Sequence, residues 1–234
     1  MKPRIEVVGI DCLTLRLFDE IDEAHMPWLL AAAQRLREVF GAALLDLVPS
    51  YTTLLLHYDI AQLDDRQARA KIAEALRDLR PASDGQGREL RIPVWYDASV
   101  GPELEPLAER SGLGVDGVIE RHSQRSYQVF ALGFAPGFAF MGLVDEILAS
   151  PRLATPRQRV PAGSLGIADR QTAIYPAVSP GGWNLIGRSP TRLFDRELDG
   201  YSLCRPGDRV RFEPIGRVEF LRLGGDPRPF EESP

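Results

Sequence analysis

An α+β chain in two parts, a ferredoxin-like α+β unit followed by a mostly β unit, is the fold class that three observations predict. Apolar residues recur at three- and four-residue spacing in two stretches before residue 80, and alternate at a spacing of two in the stretches around them. Glycine and proline are unevenly spread: of 40 in the chain, 5 lie in residues 1–80 and 35 in residues 81–234. The second part is also cut by turn residues every few positions into short extended pieces, the pattern of a barrel or sandwich. At 234 residues, with 44% hydrophobic and 26% charged residues, the chain has room for one large domain or two small ones, and disorder is excluded.

In chain order, residues 4–10 and 12–18 read as strands, the second with Leu13, Leu15 and Leu17 alternating with Thr14 and Arg16. Trp28, Leu29, Ala32, Ala33, Leu36, Val39 and Phe40 then form one face of a helix that Pro27 opens and Gly41 closes. Residues 43–48 and 52–58 read as a hairpin joined by Pro49, Ser50 and Tyr51. A second helix runs over about 64–79, with Ala68, Ile72, Ala75, Leu76 and Leu79 on one face and Asp64 or Asp65 as cap. After a polar loop around 83–87, ELRIPVWY reads as a strand, completing the order of a ferredoxin-like split unit. The second part begins with helices over 103–111 and 115–123 and a strand over 126–132. Then come the extended pieces SLGIA, TAIYP, WNLIG, TRLFD, RVRFEPI and RVEFLRL, and DPRPFEESP reads as a frayed tail.

Several function classes fall away. No apolar run approaches the ~18 residues of a membrane span, and MKPRIEVVGID lacks the apolar core of a signal peptide, so a cytoplasmic protein with no membrane partner is expected. A net charge of −5 argues against a nucleic-acid partner. Cys12 and Cys204 are too few for a disulfide framework, and no HxH, HExxH or clustered Asp/Glu pattern marks a metal site, so no metal ligands are expected. Lys2 and Lys71 are the only lysines, which excludes a phosphate loop ending in Lys-Ser or Lys-Thr. Any phosphate must be held by arginine or by backbone N–H groups.

The stretch 133–190 carries the chemistry-bearing residues. It holds 15 glycines and prolines, and residues 147–194 hold six arginines against the single acid Asp169. Glycine-rich loops can turn N–H groups toward an anion or simply form barrel corners. Ser164 follows Pro161-Ala162-Gly163, where a hydroxyl and its neighbouring N–H groups suit an oxyanion or an ordinary turn. Gln171 and Tyr175, four apart in an extended segment, point the same way beside Thr172. His122, near a helix end, is either a base near neutral pH or a partner of the helix dipole. Arg157, Arg188 and Arg192 lie in loops rather than on a helix face, and at most two of the three are expected to bind an anion.

Taken in order, GFAPGFAFMG, PR, TPR, VPAGS, IADRQTAIYP, SPGGWNLIGR and LFD resemble the signature of the KipI family, also called allophanate hydrolase subunit 1, to which the B subunits of bacterial ATP-dependent 5-oxoprolinases belong. The likeness continues upstream through His122 and SYQV, IPVWYD and, more loosely, DLVPSYTTLLLHYD. The resemblance implies a ferredoxin-like domain over 1–88 and a cyclophilin-like β-barrel of the carboxyltransferase subunit 1 type over 89–234. It implies a chain inactive alone that works with a KipA-like subunit (the 5-oxoprolinase C subunit, or allophanate hydrolase subunit 2) and a third 5-oxoprolinase subunit. ATP, with Mg2+, would be bound by that complex, which opens 5-oxo-L-proline to L-glutamate. Two alternatives come with the family: a regulator that inhibits a histidine kinase, and a carboxyltransferase subunit of urea metabolism, whose biotin another polypeptide would have to bring. On the matching motif positions His122, Arg188 and Gln171 are implied as catalytic, and Arg157, Gly163, Ser164, Thr172, Tyr175, Gly181, Gly182 and Trp183 as binding substrate or anion. Pro136, Gly137, Phe138, Pro161, Pro180 and Gly187 match as well, while Asp169, Ala173 and Ser189 depart from the family pattern.

Overall fold

The alternation of Leu13 and Leu15 with polar neighbours becomes strand β2 (Cys12–Arg16), which buries both leucines. It forms an antiparallel hairpin with β1 (Arg4–Val7). The computed structural model describes residues 3–82 and 87–230, and the chain divides into two units, Met1–Gly87 and Arg88–Pro234. In the first unit, helix α1 (Met26–Phe40) buries Leu29, Ala32, Ala33, Leu36 and Phe40 and ends on Gly41, whose φ of 56° favours glycine. Strands β3 (Leu44–Ser50) and β4 (Thr53–Tyr58) make the hairpin, and helix α2 (Asp65–Ala75) starts at a capping box in which Asp64 accepts from the Gln67 N–H at 2.7 Å. The strand order is β1, β2, β4, β3, with every neighbour antiparallel.

That order departs from the expected split unit at one place. The edge position beside β2, expected for the strand over 89–96, is taken by β1, which precedes both helices. The later strand, β5 (Glu89–Val94), pairs in parallel with β13 (Arg209–Pro214) in the second unit. Local alternation specifies a strand, but its partner is set by packing elsewhere in the chain.

The second unit opens with α3 (Leu104–Ser111) and α4 (Gly114–Ser123), followed by β6 (Ser126–Leu132) and β7 (Ala139–Gly142). Strands β8 (Arg157–Val160) and β11 (Ser179–Gly181) form a separate pair. β9 (Ser164–Ala168), β10 (Gln171–Ile174) and β12 (Asn184–Arg188) continue the main ladder, whose order is β5, β13, β6, β7, β10, β9, β12. The ladder is not a closed barrel of continuous strands. Its two ends meet at one bridge, where Trp95 and Arg188 exchange backbone hydrogen bonds of 2.9 and 2.8 Å. Val129, Met141, Leu165, Ile167, Ile186, Val210 and Phe212 fill the core that the ladder curves around.

Three expectations for this unit are corrected. RVEFLRL is a helix, α5 (Arg217–Arg222), because only Phe220 is buried, Val218 is 84% exposed and Glu219 pairs with Arg222 one turn on. TRLFD contributes no strand, only the bridge Phe194 to Ser202. In the expected tail, residues 226–230 are docked: the Phe230 N–H donates to the Ser99 carbonyl at 2.6 Å. Residues 231–234, and residues 83–86 of the expected polar loop, lie outside the described residues.

Gly101 faces the bulge in β12 so closely that a Cβ there would lie 2.3 Å from the Ile186 carbonyl carbon and 2.4 Å from the Gly187 nitrogen. Neither backbone atom can move without breaking the ladder. Gly101→Ala is therefore expected to lower unfolding free energy by about 1–3 kcal/mol. A shift of the denaturant midpoint measures it, with Gly133→Ala, whose Cβ would make only an ordinary 3.7 Å contact, as the control.

Candidate functional site

Three neighbouring strands place the decisive side chains. Along β9, β10 and β12, the residues Leu165, Ile167, Ile174 and Ile186 point into the main core. Ala168, Ala173, Tyr175 and Leu185 instead join a second apolar cluster with Phe138, Val160 and Trp183. Alternation puts Ser164, next to Leu165, on that second face. Arg188 lies opposite Ser164 in the β9–β12 ladder and shares its face, while the Tyr175 N–H donates to the Ser164 carbonyl at 2.9 Å on the other side. Tyr175, Ser164 and Arg188 thus form a row across the three strands.

The row is buried. Ser164 is 0%, Tyr175 1% and Arg188 2% exposed. Burial pushes the Arg188 pKa down, Asp226 partly offsets this and Arg228 adds to it, but a guanidinium remains charged. Its Nη1 donates to the carbonyls of Asp226 and Arg228 at 2.8 and 2.7 Å, so the docked C-terminal segment lies against it. Arg157 is held beside the same segment, its guanidinium 4.8 Å from the Phe230 ring centroid. It pairs with Glu103 and donates to the Trp183 carbonyl at 3.2 Å, and Glu103 also accepts the Leu185 N–H at 2.7 Å. Burial raises the Tyr175 pKa, opposed by a hydrogen bond from the Trp183 backbone and by Arg152 and Arg157.

One property separates this face from the rest of the molecule. Among the described residues, the buried polar side-chain atoms without a hydrogen-bond partner are Arg157 Nε, Ser164 Oγ, Ser179 Oγ, and Arg188 Nε and Nη2. All five belong to residues 157–188. An unsatisfied buried donor costs about 1–3 kcal/mol, more when charged, and Ser164 and Arg188, paired across the β9–β12 ladder, carry three of the five atoms.

Glycines shape the face. A Cβ on Gly181 would lie 2.2 Å from the Tyr175 hydroxyl, and one on Gly163, at φ +81°, 2.3 Å from the Ser189 carbonyl oxygen. The expected backbone cradle at 163–164 is corrected, since those N–H groups already donate to the carbonyls of Tyr175 (2.7 Å) and Pro161 (3.3 Å). Gly182 accepts the Leu153 N–H at 2.8 Å. Of the three arginines, Arg157 and Arg188 reach the face, whereas Arg192 pairs with Asp195 at the surface. Beside the row, an open cavity of about 450 Å³ is lined by Phe134, Pro136, Phe194 and Tyr201. The Phe134 ring stands edge-on to Tyr175 at 6.4 Å, and both Phe134 (φ 68°) and Tyr201 (φ 63°) adopt a conformation rare for aromatic residues.

His122 and Thr172 point the other way, into the main core. The His122 ring meets Thr172 Oγ1 at 3.1 Å and the Tyr96 hydroxyl at 2.8 Å, and stacks on Phe212. Thr172 also donates to the Gly166 carbonyl at 3.2 Å. Complete burial lowers the His122 pKa to about 3, so the ring is neutral at physiological pH and the reading as a base near neutrality is corrected. Gln171 is half-buried and pairs in the ladders with Gly142 and Ala168, on the side of Tyr175. Glu103 and residues 226–230 carry no signal of a site in the sequence. Glu103 reads only as the start of a helix and 226–230 only as a tail, while Ser179 at least stands at the edge of the SPGG motif.

Because the folded His122 pKa lies below the unfolded value of about 6.5, the stability this residue contributes is present above pH ~6.5 and is lost as pH falls toward 3. The wild-type chain should therefore lose unfolding free energy between pH 6.5 and 4 more steeply than His122→Gln. The His122 ring resonances should not titrate between pH 8 and 5, and a midpoint near 6.5 in NMR would contradict the burial.

Residues 3–204 match the family model of the carboxyltransferase domain, subdomain C and D. The chain is 34% identical over 227 residues to the 5-oxoprolinase B subunit of Bacillus subtilis (strain 168), covering 93% of this chain and 95% of the relative. It is 37% identical over 216 residues to the 5-oxoprolinase B subunit of Escherichia coli O157:H7, covering 91% and 96%. Among solved structures, that of TTHA0988 superposes with a TM-score of 0.76 at 39% identity, over 88% of this chain. The chain spans 40% of the length of that solved chain. With its family model matched over most of its length, the chain belongs to the carboxyltransferase domain, subdomain C and D family, and is similar along nearly its whole length to 5-oxoprolinase B subunits.

Proposed function

We propose that this chain is the B subunit of an ATP-dependent 5-oxoprolinase that hydrolyses 5-oxo-L-proline to L-glutamate. In this reading its second unit is a cyclophilin-like β-barrel, its first a ferredoxin-like domain, and it acts in the cytoplasm. It works with a KipA-like C subunit and a third subunit, and is inactive alone. Support comes from the two named relatives, matched along nearly their whole length. The observation that carries the site is the set of unsatisfied buried donors on the Tyr175–Ser164–Arg188 face.

Those donors fit an anion. Arg188 Nε and Nη2 present a charged pair of N–H groups suited to a carboxylate or a phosphoryl group, and the Ser164 hydroxyl lies across the ladder from them. 5-Oxoproline carries a carboxylate, and ATP supplies phosphoryl groups to activate the lactam oxygen. The face does not fit Mg2+: of its carboxylates, Glu103 is paired with Arg157 and bonded to the Leu185 N–H, and Asp226 is paired with Arg228. Residues outside this face would hold the ion. In the overall reaction water adds to the lactam carbonyl carbon and the C–N bond breaks, leaving a second carboxylate and an amine. Arg188 and Ser164 bind and orient the anionic substrate, and Tyr175 borders it. The Arg157–Glu103 pair fixes the wall formed by Trp183 and Leu185. His122 holds the core beneath the face and moves no proton.

Co-expression with a KipA-like partner and the third subunit, followed by ATP hydrolysis with and without 5-oxoproline, tests the reading. Stimulation by 5-oxoproline is expected, and its absence would remove the proposal. In the complex Arg188→Lys, which keeps the charge but loses the fork, should lower kcat/KM by about 10²–10³-fold. His122→Gln should leave the pH profile of kcat/KM unmoved.

A further inference from the structure

The first unit contains a side-chain cluster that the proposed activity does not use. Cys12 on β2 and His57 on β4 are direct partners in the antiparallel ladder, so their side chains share one face. Asp11 precedes β2 in a bend closed by the N–H groups of Val8 and Gly9, which both donate to the Cys12 carbonyl. Its own carbonyl accepts the Tyr58 N–H at 3.0 Å, which ties the bend to β4. Its carboxylate is thereby turned toward the other two residues: Oδ2 lies 2.9 Å from His57 Nε2, and a carboxylate oxygen lies within 4.8 Å of the Cys12 sulfur. One nitrogen, one sulfur and one oxygen atom lie within 4.8 Å of one another, the one such three-residue group among the described residues.

We infer that Asp11, Cys12 and His57 form a binding site for a borderline-soft divalent metal ion of the Zn2+ class. The donor set is the main reason. Thiolate, imidazole and carboxylate together suit Zn2+, whereas Mg2+ and Ca2+ require oxygen shells. The charge also balances: on binding, the Cys12 thiol gives its proton to solvent, and thiolate plus carboxylate offset the two positive charges of the ion. Tetrahedral bonds of about 2.0–2.3 Å bring ligand atoms somewhat closer together than the largest separation here, a change that side-chain rotation supplies. Both His57 (37%) and Asp11 (31%) keep partly exposed side chains, which gives the ion an entry path and water a fourth position. The linear sequence hides this site because Cys12 and His57 are 45 positions apart and no spacing motif joins them.

Titration of the metal-free full chain with Co2+ and Zn2+ is the test. One equivalent of Co2+ is expected to produce a thiolate-to-cobalt charge-transfer band in the near ultraviolet, bleached by Zn2+ and unaffected by Mg2+. Cys12→Ser should abolish the band, and His57→Ala should weaken Zn2+ binding by about tenfold or more, at least the loss that follows removal of an outer-shell partner. Asp11→Asn, nearly the same in shape, should also weaken binding while the far-ultraviolet circular dichroism stays unchanged, which separates lost ligation from lost fold. Buried Cys204 cannot replace Cys12 without unfolding. No saturable binding at one equivalent, or binding that survives both Cys12→Ser and His57→Ala, would overturn the proposal and leave the cluster as an Asp–His pair beside a thiol.

Discussion

The burial of the Arg188 guanidinium constrains the rest of the second unit. Its backbone forms the bridge to Trp95 by which the two ends of the strand ladder meet. Its side chain cannot be withdrawn from water without partners, because an isolated buried charge is far costlier than a buried amide. Two carbonyls of the C-terminal segment supply part of the requirement, which explains why a stretch rich in proline and charge docks at all. Nε and Nη2 remain unsatisfied. The fold thus holds a guanidinium deep in the unit with two of its three nitrogens unsatisfied, at a cost in stability.

The period of two along a strand separates the roles of motif residues that stand side by side in the sequence. Thr172 and Ile174 face the core with His122, while Ala173 and Tyr175 face the arginines. The motif QTAIY therefore contributes to two different surfaces. One is a neutral, hydrogen-bonded histidine node packed among Tyr96, Tyr127 and Phe212. The other is a charged face. His122 matters to the second only through the rigidity of the sheet between them.

What is legible in the sequence is local. The amphipathic stripe of α1, the Asp64 cap of α2 and the β3–β4 hairpin each follow from residues within a few positions of one another, and each is readable. The motif stretch 133–190 stands out as a candidate site because its composition departs from the rest of the chain. Contacts decided by distant partners are not readable. Strand β5 looks like the last strand of the first unit but pairs with β13, more than 110 residues later. RVEFLRL alternates like a strand, yet a single apolar side chain, Phe220, finds a core, and a helix satisfies that with one turn. Glu103 acquires its role only when folding brings Arg157 and the Leu185 N–H to the same carboxylate.

The glycines of the chain divide by physical cause. Gly41 and Gly112 stand at helix ends with nothing near a Cβ, and there only the positive φ matters. Gly163, Gly181 and Gly187 differ, because a Cβ at each would strike a carbonyl oxygen or the Tyr175 hydroxyl below 3 Å. These three surround Ser164, Tyr175 and Arg188 and allow backbone to approach where side chains would otherwise hold the strands and loops apart. The close approach lets an arginine reach an interior position and leaves too little space for other side chains to satisfy it. Glycine density and unsatisfied donors at this face therefore have one origin, a backbone packed tightly enough to keep other side chains away from the arginine.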